Sequence, residues 1–347
     1  MPKKFLIVGG GIAGNFIAFH LKQSGHEIII IDNGKNQSSA VAAGLINPIV
    51  FRRMAKSWRI DELLEYALTF YAEIEKQTNT SLIQPIHIRR LFSSEQEYQL
   101  WKQKEVEENY SSYLHPIENG DEIYEKTKNQ FGSGRLKQAY HIDAELLLKT
   151  FKKNIWFENE QLGEAFEYSV LDASQLKYKD KYFDGIIFCE GKDLKSNPLF
   201  QDIKVDCTKG ELMTIQHNSL PQHESVNRKC FVLPLGNKAF KIGSTYVWHT
   251  DDNTPTEKGK EELIEMIKYI TDEPFKVLQH SAGVRPTTFD RRPFCGEHKS
   301  HKNIYCFNGL GAKGYLLAPL LAKELKDHIL YNTDLNPEVA LYRNSKS

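Results

Sequence analysis

An α/β fold, in which a Rossmann-like domain of parallel strands carries an inserted mixed or antiparallel sheet, is predicted by three features of the 347-residue sequence. Residues 5–32 read as strand, glycine turn, helix and strand, with continuous apolar strands of the kind that helices cover on both faces. A further apolar run at 183–191 supplies another parallel strand. Residues 211–215, 230–235 and 239–243 alternate in the manner of an antiparallel sheet. The length suits two domains. Residues 1–75, 138–204 and 282–347 are assigned to the parallel one, and 76–137 with 205–281 to the insertion.

The first strand is Phe5-Leu6-Ile7-Val8. Gly9-Gly10-Gly11-Ile12-Ala13-Gly14 turns directly into a helix with Phe16, Ile17, Ala18 and Leu21 at helical spacing, and Gly25 closes it. Glu27-Ile28-Ile29-Ile30-Ile31 forms the second strand, with Asp32 at its end. Each position in this G-x-G-x-x-G pattern has a physical reason. Gly9 allows the tight turn, Gly11 lets the backbone approach a pyrophosphate, and Gly14 lets helix and strand pack closely. The helix start at Ile12 and Ala13 offers free N–H groups to phosphate, and Asp32 can accept from ribose hydroxyls. A bound dinucleotide is expected; a glycine turn used only for packing is the alternative, and these residues do not separate FAD from NAD. Downstream, 58–76 reads as an amphipathic helix with Leu63, Tyr66, Ala67 and Phe70 on one side. Residues 315–329 read as the last helix, and 342–347 as a frayed tail.

Lys and Arg total 45 against 45 Asp and Glu, a formal charge of zero, with 40% hydrophobic residues. That balance argues against a protein whose main work is tracking a phosphate backbone. The five cysteines, Cys189, Cys207, Cys230, Cys295 and Cys306, are scattered without a C-x-x-C pair, so neither a zinc ribbon nor a disulfide framework is indicated. A reducing, cytoplasmic setting fits. The N-terminal run is too short and interrupted for a membrane span, and no metal or membrane partner is expected.

Two stretches carry a resemblance. Ser38-Ser39-Ala40-Val41-Ala42-Ala43-Gly44-Leu45-Ile46-Asn47-Pro48 is similar to the segment that follows the dinucleotide fingerprint in the D-amino-acid oxidase superfamily, its glycine-oxidase-like members above all. Gly283-Val284-Arg285-Pro286-Thr287-Thr288-Phe289-Asp290-Arg291-Arg292-Pro293-Phe294-Cys295-Gly296, followed by Gly309-Leu310-Gly311-Ala312-Lys313-Gly314, resembles the family's G-x-R-P-x-T-x-D-x-x-P-x-x-G motif and the turn into its last helix. The order of landmarks, including Cys189-Glu190-Gly191, covers most of the chain. The resemblance implies an FAD-binding domain assembled from separated pieces, an inserted substrate domain, and oxidation of the C–N bond of an amino acid or secondary amine. The hydride goes to flavin N5, and O2 reoxidation gives peroxide. It implies FAD contacts from Gly9, Gly11, Ile12, Ala13, Gly14, Asp32 and Asn33, then Ser39, Ala43, Gly44 and Gly191, and finally Gly283, Arg285, and Gly309 through Gly314. No cysteine lies at 284–290, where covalent members attach flavin, so non-covalent FAD is expected.

Arg285 is the first choice for gripping a substrate carboxylate, since its planar fork donates two parallel hydrogen bonds; an ion pair with Asp290 or Glu297 is the alternative. Phe231 and Asn47 are assigned to the substrate side with it. Phe231 and Ala312 stand where glycine oxidase carries a tyrosine and an arginine, which counts against a simple glycine-like substrate. Lys241 resembles the lysine that assists oxygen in sarcosine-oxidase-like members; an outward-facing strand lysine is the alternative. Lys313, in the last turn, could equally point to solvent.

The C-terminal turn is also similar to the oxidase domain of the bifunctional enzyme that trims carboxymethylaminomethyl groups on tRNA wobble uridine. Arg52, Arg53, Lys56, Arg59, Arg89 and Arg90 could then form a basic rim. A tRNA substrate ranks below a small amine. A flavin-dependent dehydrogenase, electron carrier or non-catalytic flavin protein is a further alternative.

Overall fold

The computed structural model describes residues 1–35, 38–117, 126–156 and 161–343. Its first sheet has six strands in the spatial order Phe294–Glu297, Ile304–Asn308, Gly185–Phe188, Lys4–Val8, Glu27–Ile31 and Gln161–Leu162. Neighbours are parallel except for the edge pair Phe294–Glu297 and Ile304–Asn308. The apolar runs are continuous because both faces are covered. Phe5 and Ile7 join Phe16, Ile17 and Leu321 of the helices Ile12–Gln23 and Gly314–Tyr331, whereas Leu6 and Val8 join Tyr178, Phe188 and Phe200 on the opposite side.

The second sheet has nine strands. Its path runs Val247–Trp248, Asp206–Gln216, Ala239–Gly243, Phe231–Gly236, Glu224–Asn227, Ile83–Leu91, Ser133–Ile142 and Leu45–Ile46, and Lys276–Thr287 pairs with Asp206–Gln216. The sheet is mixed, because Glu224–Asn227 lies parallel to Ile83–Leu91. The strand Lys276–Thr287 continues through the assigned boundary at 281/282, and both Leu45–Ile46 and the end of Ser133–Ile142 pair in this sheet.

The antiparallel pairing read at 211–215 is present, since Asp206–Gln216 runs antiparallel to both Ala239–Gly243 and Lys276–Thr287. Met213 and Ile215 pack on Leu263 and Ile267 of the helix Glu257–Ile267, while Gly210 and Leu212 line a cavity, so both faces are occupied. Two expectations need correction. The helix expected at 58–76 spans Ile60–Thr78, because Arg59 at φ 48° and Asn79 at φ 51° take left-handed conformations that end it on each side. It buries Leu63, Ala67 and Phe70 as expected and adds Tyr71, whose hydroxyl donates to the Tyr315 carbonyl at 2.7 Å. The tail is not frayed at 342–343: Arg343 forms an ion pair with Asp290 at 2.9 Å, and the Tyr342 hydroxyl accepts from the Lys299 N–H. Residues 344–347 lie outside the described residues. No described helix is long and apolar enough to cross a membrane.

Candidate active site

A cavity of about 620 Å³ opens where the carboxyl ends of the parallel strands meet the inner face of the second sheet. This crevice is the usual ligand position in an open parallel sheet. At its nucleotide end the glycine turn is held by its neighbours. Gly9 has φ 105°, and a Cβ there would lie 2.4 Å from the Cys189 carbonyl oxygen. The Asn15 amide donates to the Gly10 and Gly11 carbonyls at 2.6 and 3.0 Å, while its own oxygen accepts from Trp156 Nε1 at 2.7 Å. Those carbonyls are thus turned toward the helix. No side chain at Gly11 caps it, although Ser39 Oγ accepts from the Ile12 N–H at 3.3 Å. The Asp32 carboxylate accepts from Gly10 N–H at 2.9 Å and Gly34 N–H at 2.8 Å, so it braces the turn as well as lining the cavity.

Gly11, Ile12, Ala13, Asn33, Ser39, Ala43, Gly44, Gly191, Gly283, Leu310, Gly311, Ala312, Lys313 and Gly314 line the same cavity, as do Asn47 and Phe231. Gly14 and Gly309 do not line it. Gly14 brings helix and strand together, since a Cβ there would lie 1.8 Å from the Gly9 carbonyl oxygen. Gly309, at φ 77°, abuts Thr288.

Arg285 lines the cavity beside Phe231 and Ser244. Its guanidinium lies over Gly210, where a Cβ would come within 2.0 Å of Nη2. Nη2 donates to Ser244 Oγ at 2.8 Å, the Tyr246 ring stacks at 5.4 Å, and Nη1 is buried without a hydrogen-bond partner. Asp290 is taken by Arg343, and Glu297 accepts from the Asn303 N–H. The ion pair held open as the alternative for Arg285 is therefore absent. A guanidinium whose buried Nη1 has no acceptor, and which has no acid beside it among the described residues, calls for an anion.

Lys241 is not a cavity residue. Its strand register places it on the same sheet face as Phe231 but opposite Leu233, about 7 Å along the strand from Gly243. Burial lowers its pKa, and the nearby Asp143 and Glu145 carboxylates oppose that shift. The lysine that lines the cavity is Lys313, which turns inward and not to solvent. Its ammonium donates to Ser57 Oγ and to the Asn47 carbonyl at 3.3 Å, and burial pushes its pKa down to about 8. No side chain caps the helix that begins at Gly314.

Sequence reasoning missed Ser244, Asn227, Gly210 and the side chain of Glu190. Asn227 and Gly210 reach the site by cross-strand pairing, and Ser244 follows directly on a paired strand, none of which leaves a local trace in the chain. Glu190 did carry a signal, an acid at the end of a parallel strand like Asp32. Burial pushes its pKa up to about 7, against hydrogen bonds from Tyr168 and from Asn197 at 2.7 Å. The proposed basic rim is mostly neutralised. Lys56 pairs with Asp61, Arg59 with Glu62 and Glu324, Arg89 with Glu224, and Arg90 with Glu97.

The family of FAD dependent oxidoreductases abbreviated DAO matches residues 4–328. Glycine oxidase of Bacillus licheniformis is 23% identical over 96% of the chain and 95% of its own length. The bifunctional protein MnmC of Acinetobacter baylyi, of tRNA 5-methylaminomethyl-2-thiouridine biosynthesis, is also 23% identical, over 94% of the chain but 52% of its own length. Glycine oxidase from Geobacillus kaustophilus superimposes with a TM-score of 0.82 at 18% identity, covering 99% of this chain and 100% of that one.

Proposed function

The chain belongs to the DAO family of FAD-dependent oxidoreductases, and from that premise we propose that it oxidises the C–N bond of a small amine or amino acid bearing a carboxylate, with O2 as the final acceptor. It is an FAD enzyme acting on CH–NH or CH–NH2 donors. Bound FAD supplies the two-electron acceptor. The residues present fit that group: the glycine turn leaves no room for side chains, Gly11 brings no side chain of its own to cap the helix at Ile12, and Asp32 stands at the strand end.

One observation carries the substrate reading, the buried Arg285 Nη1 with no protein partner. A carboxylate there would be gripped by a fork already oriented by Ser244 and Tyr246, which fixes the amine-bearing carbon against the flavin side of the cavity. The imine product takes up water and releases an amine and a carbonyl compound. The test is an anaerobic visible spectrum before and after primary and secondary amino acids, then after admitting air. Bleaching with peroxide on re-aeration is expected; a flavin that no carboxylate-bearing amine reduces would overturn the reading.

Lys313 adds a pH dependence. With a pKa of about 8 it is charged below that pH and neutral above it, so its help to negative charge developing in the cavity fades as pH rises through about 8. Flavin reduction should show an alkaline limb near there that Lys313→Met lacks. The same limb in both proteins would remove Lys313 from the chemistry.

The flavin should be non-covalent. All five cysteines are free and buried, and Cys189, which lines the cavity, has its thiol pKa raised by burial and stays protonated. Acid precipitation should leave all the yellow colour in the supernatant; colour in the pellet would contradict this. A tRNA substrate ranks second. The MnmC similarity favours it, and the pairing of four of the six basic residues counts against it.

A further inference from the structure

The side chains on the substrate wall donate. Arg285 has a free N–H, Lys313 is an ammonium, and the Asn47 oxygen is occupied by the Ile49 N–H at 2.9 Å, which leaves its NH2 end. Asn227 is oriented in the same sense by a neighbour. Its Oδ1 accepts from Arg90 Nη1 at 2.7 Å, and a guanidinium can only donate, so the amide oxygen faces Arg90 and the NH2 group faces away. Arg90 is itself fixed, donating to Glu97 at 2.7 Å and stacking on Phe51 at 5.2 Å. Among the described residues, the carboxylates lining the cavity are Asp32, Glu164, Glu190 and Asp193. All of them follow strands of the six-stranded sheet, at the nucleotide end.

The two outer donors stand well apart. Asn227 pairs across strands with Phe231, Phe231 with Gly243, and Gly243 with Leu212, two residues from the Gly210 that Arg285 overlies. Three inter-strand steps are about 14 Å along the curved wall. Phe231, which also lines the cavity, lies between them. Glycine would reach Arg285 and use none of the rest.

We infer that the substrate is an elongated amino acid or N-substituted glycine, with its carboxylate at Arg285, an apolar or planar middle on Phe231, and a carbonyl or carboxylate oxygen at its far end received by the Asn227 NH2. This inference deepens the proposed amine-oxidase reading and rests on it. Arg90 is the positioning residue that sets the amide.

The test uses the FAD-loaded protein and amine-free probes that perturb the flavin spectrum without reducing it. Straight-chain monocarboxylates ending in a primary amide are titrated against alkyl carboxylates of equal length, over a graded series of lengths. The amide-ended acid should bind about tenfold more tightly at one length. That ratio should fall to about one in Asn227→Leu, and Asn227→Asp should disfavour diacids through like charge. No discrimination at any length, or discrimination that survives Asn227→Leu, would overturn the inference. If acetate binds through Arg285 while lengths are not discriminated, this inference alone fails. If no carboxylate perturbs the flavin in the parent protein, the amine-oxidase reading falls and takes this one with it.

Discussion

Arg285→Ala should raise KM for a carboxylate-bearing substrate by about 100-fold or more, with FAD content unchanged. Removing one partner of a buried charge-assisted pair typically costs about 3 kcal/mol, and each 1.4 kcal/mol is roughly tenfold. The strand itself should survive the change, because Arg285 is held by backbone pairing to Thr208 and its side chain lines the cavity over Gly210. Among the described residues no acid pairs with the guanidinium, so its loss strands no charge there. Arg285→Lys should recover part of the affinity, since an ammonium attracts the carboxylate but cannot present a planar fork. If the fork also orients the reacting carbon, kcat falls alongside the rise in KM. Steady-state kinetics with an amino acid and with the corresponding amine lacking its carboxylate would separate these effects. The penalty should disappear for the decarboxylated compound, and equal penalties for both would place Arg285 outside carboxylate recognition.

The two halves of the cavity differ in how far the sequence exposes them. The phosphate-facing part of the nucleotide half is a contiguous stretch, Gly9 to Asp32, where turn, helix start and strand end follow one another within a single strand–helix–strand unit. Local geometry then dictates residue type position by position, and spacing is enough to read it. The substrate half is assembled across strands far apart in the chain: Arg285 beside Ser244 and over Gly210, and Asn227 beside Phe231. Arg285 was reachable because its motif resembles a family pattern, but nothing near Ser244 or Asn227 announces a site. Lys241 and Lys313 show the same limit. Strand alternation indicates which face Lys241 takes, yet its distance from the cavity depends on the register with Leu233. Lys313 is turned inward by Ser57 and Asn47, which lie more than 250 positions earlier. Charge was equally opaque, because the partners that neutralise Arg59, Arg89 and Arg90 become visible only when Glu324, Glu224 and Glu97 are folded against them.

Gly14→Ala should abolish FAD retention. A Cβ at this position would lie 1.8 Å from the Gly9 carbonyl oxygen, 3.0 Å from the Gly9 carbonyl carbon and 3.2 Å from Ile7 Cγ2. The first two are backbone atoms of the phosphate-facing turn, so no side chain can swing aside. The helix is also blocked from retreating, because Phe16, Ile17, Ala18 and Leu21 are fully buried against the core behind it. Relief must come from displacing the turn or the helix start by an ångström or more, and both carry the N–H groups meant for the pyrophosphate. Overpacking of this kind typically costs about 1–3 kcal/mol of stability, which leaves a protein of this size folded but unable to hold its cofactor. Gly163→Ala is the matched control, since a Cβ there meets nothing within 4 Å. After dialysis, Gly14→Ala should be colourless with far-ultraviolet circular dichroism near that of the parent, and Gly163→Ala should remain yellow. A yellow Gly14→Ala protein would mean that the helix can withdraw from the turn without disturbing the phosphate site, and that close packing at this glycine is not what the cofactor requires. The contrast with Arg285→Ala completes the separation, because one substitution removes the cofactor and the other leaves it bound while weakening the substrate.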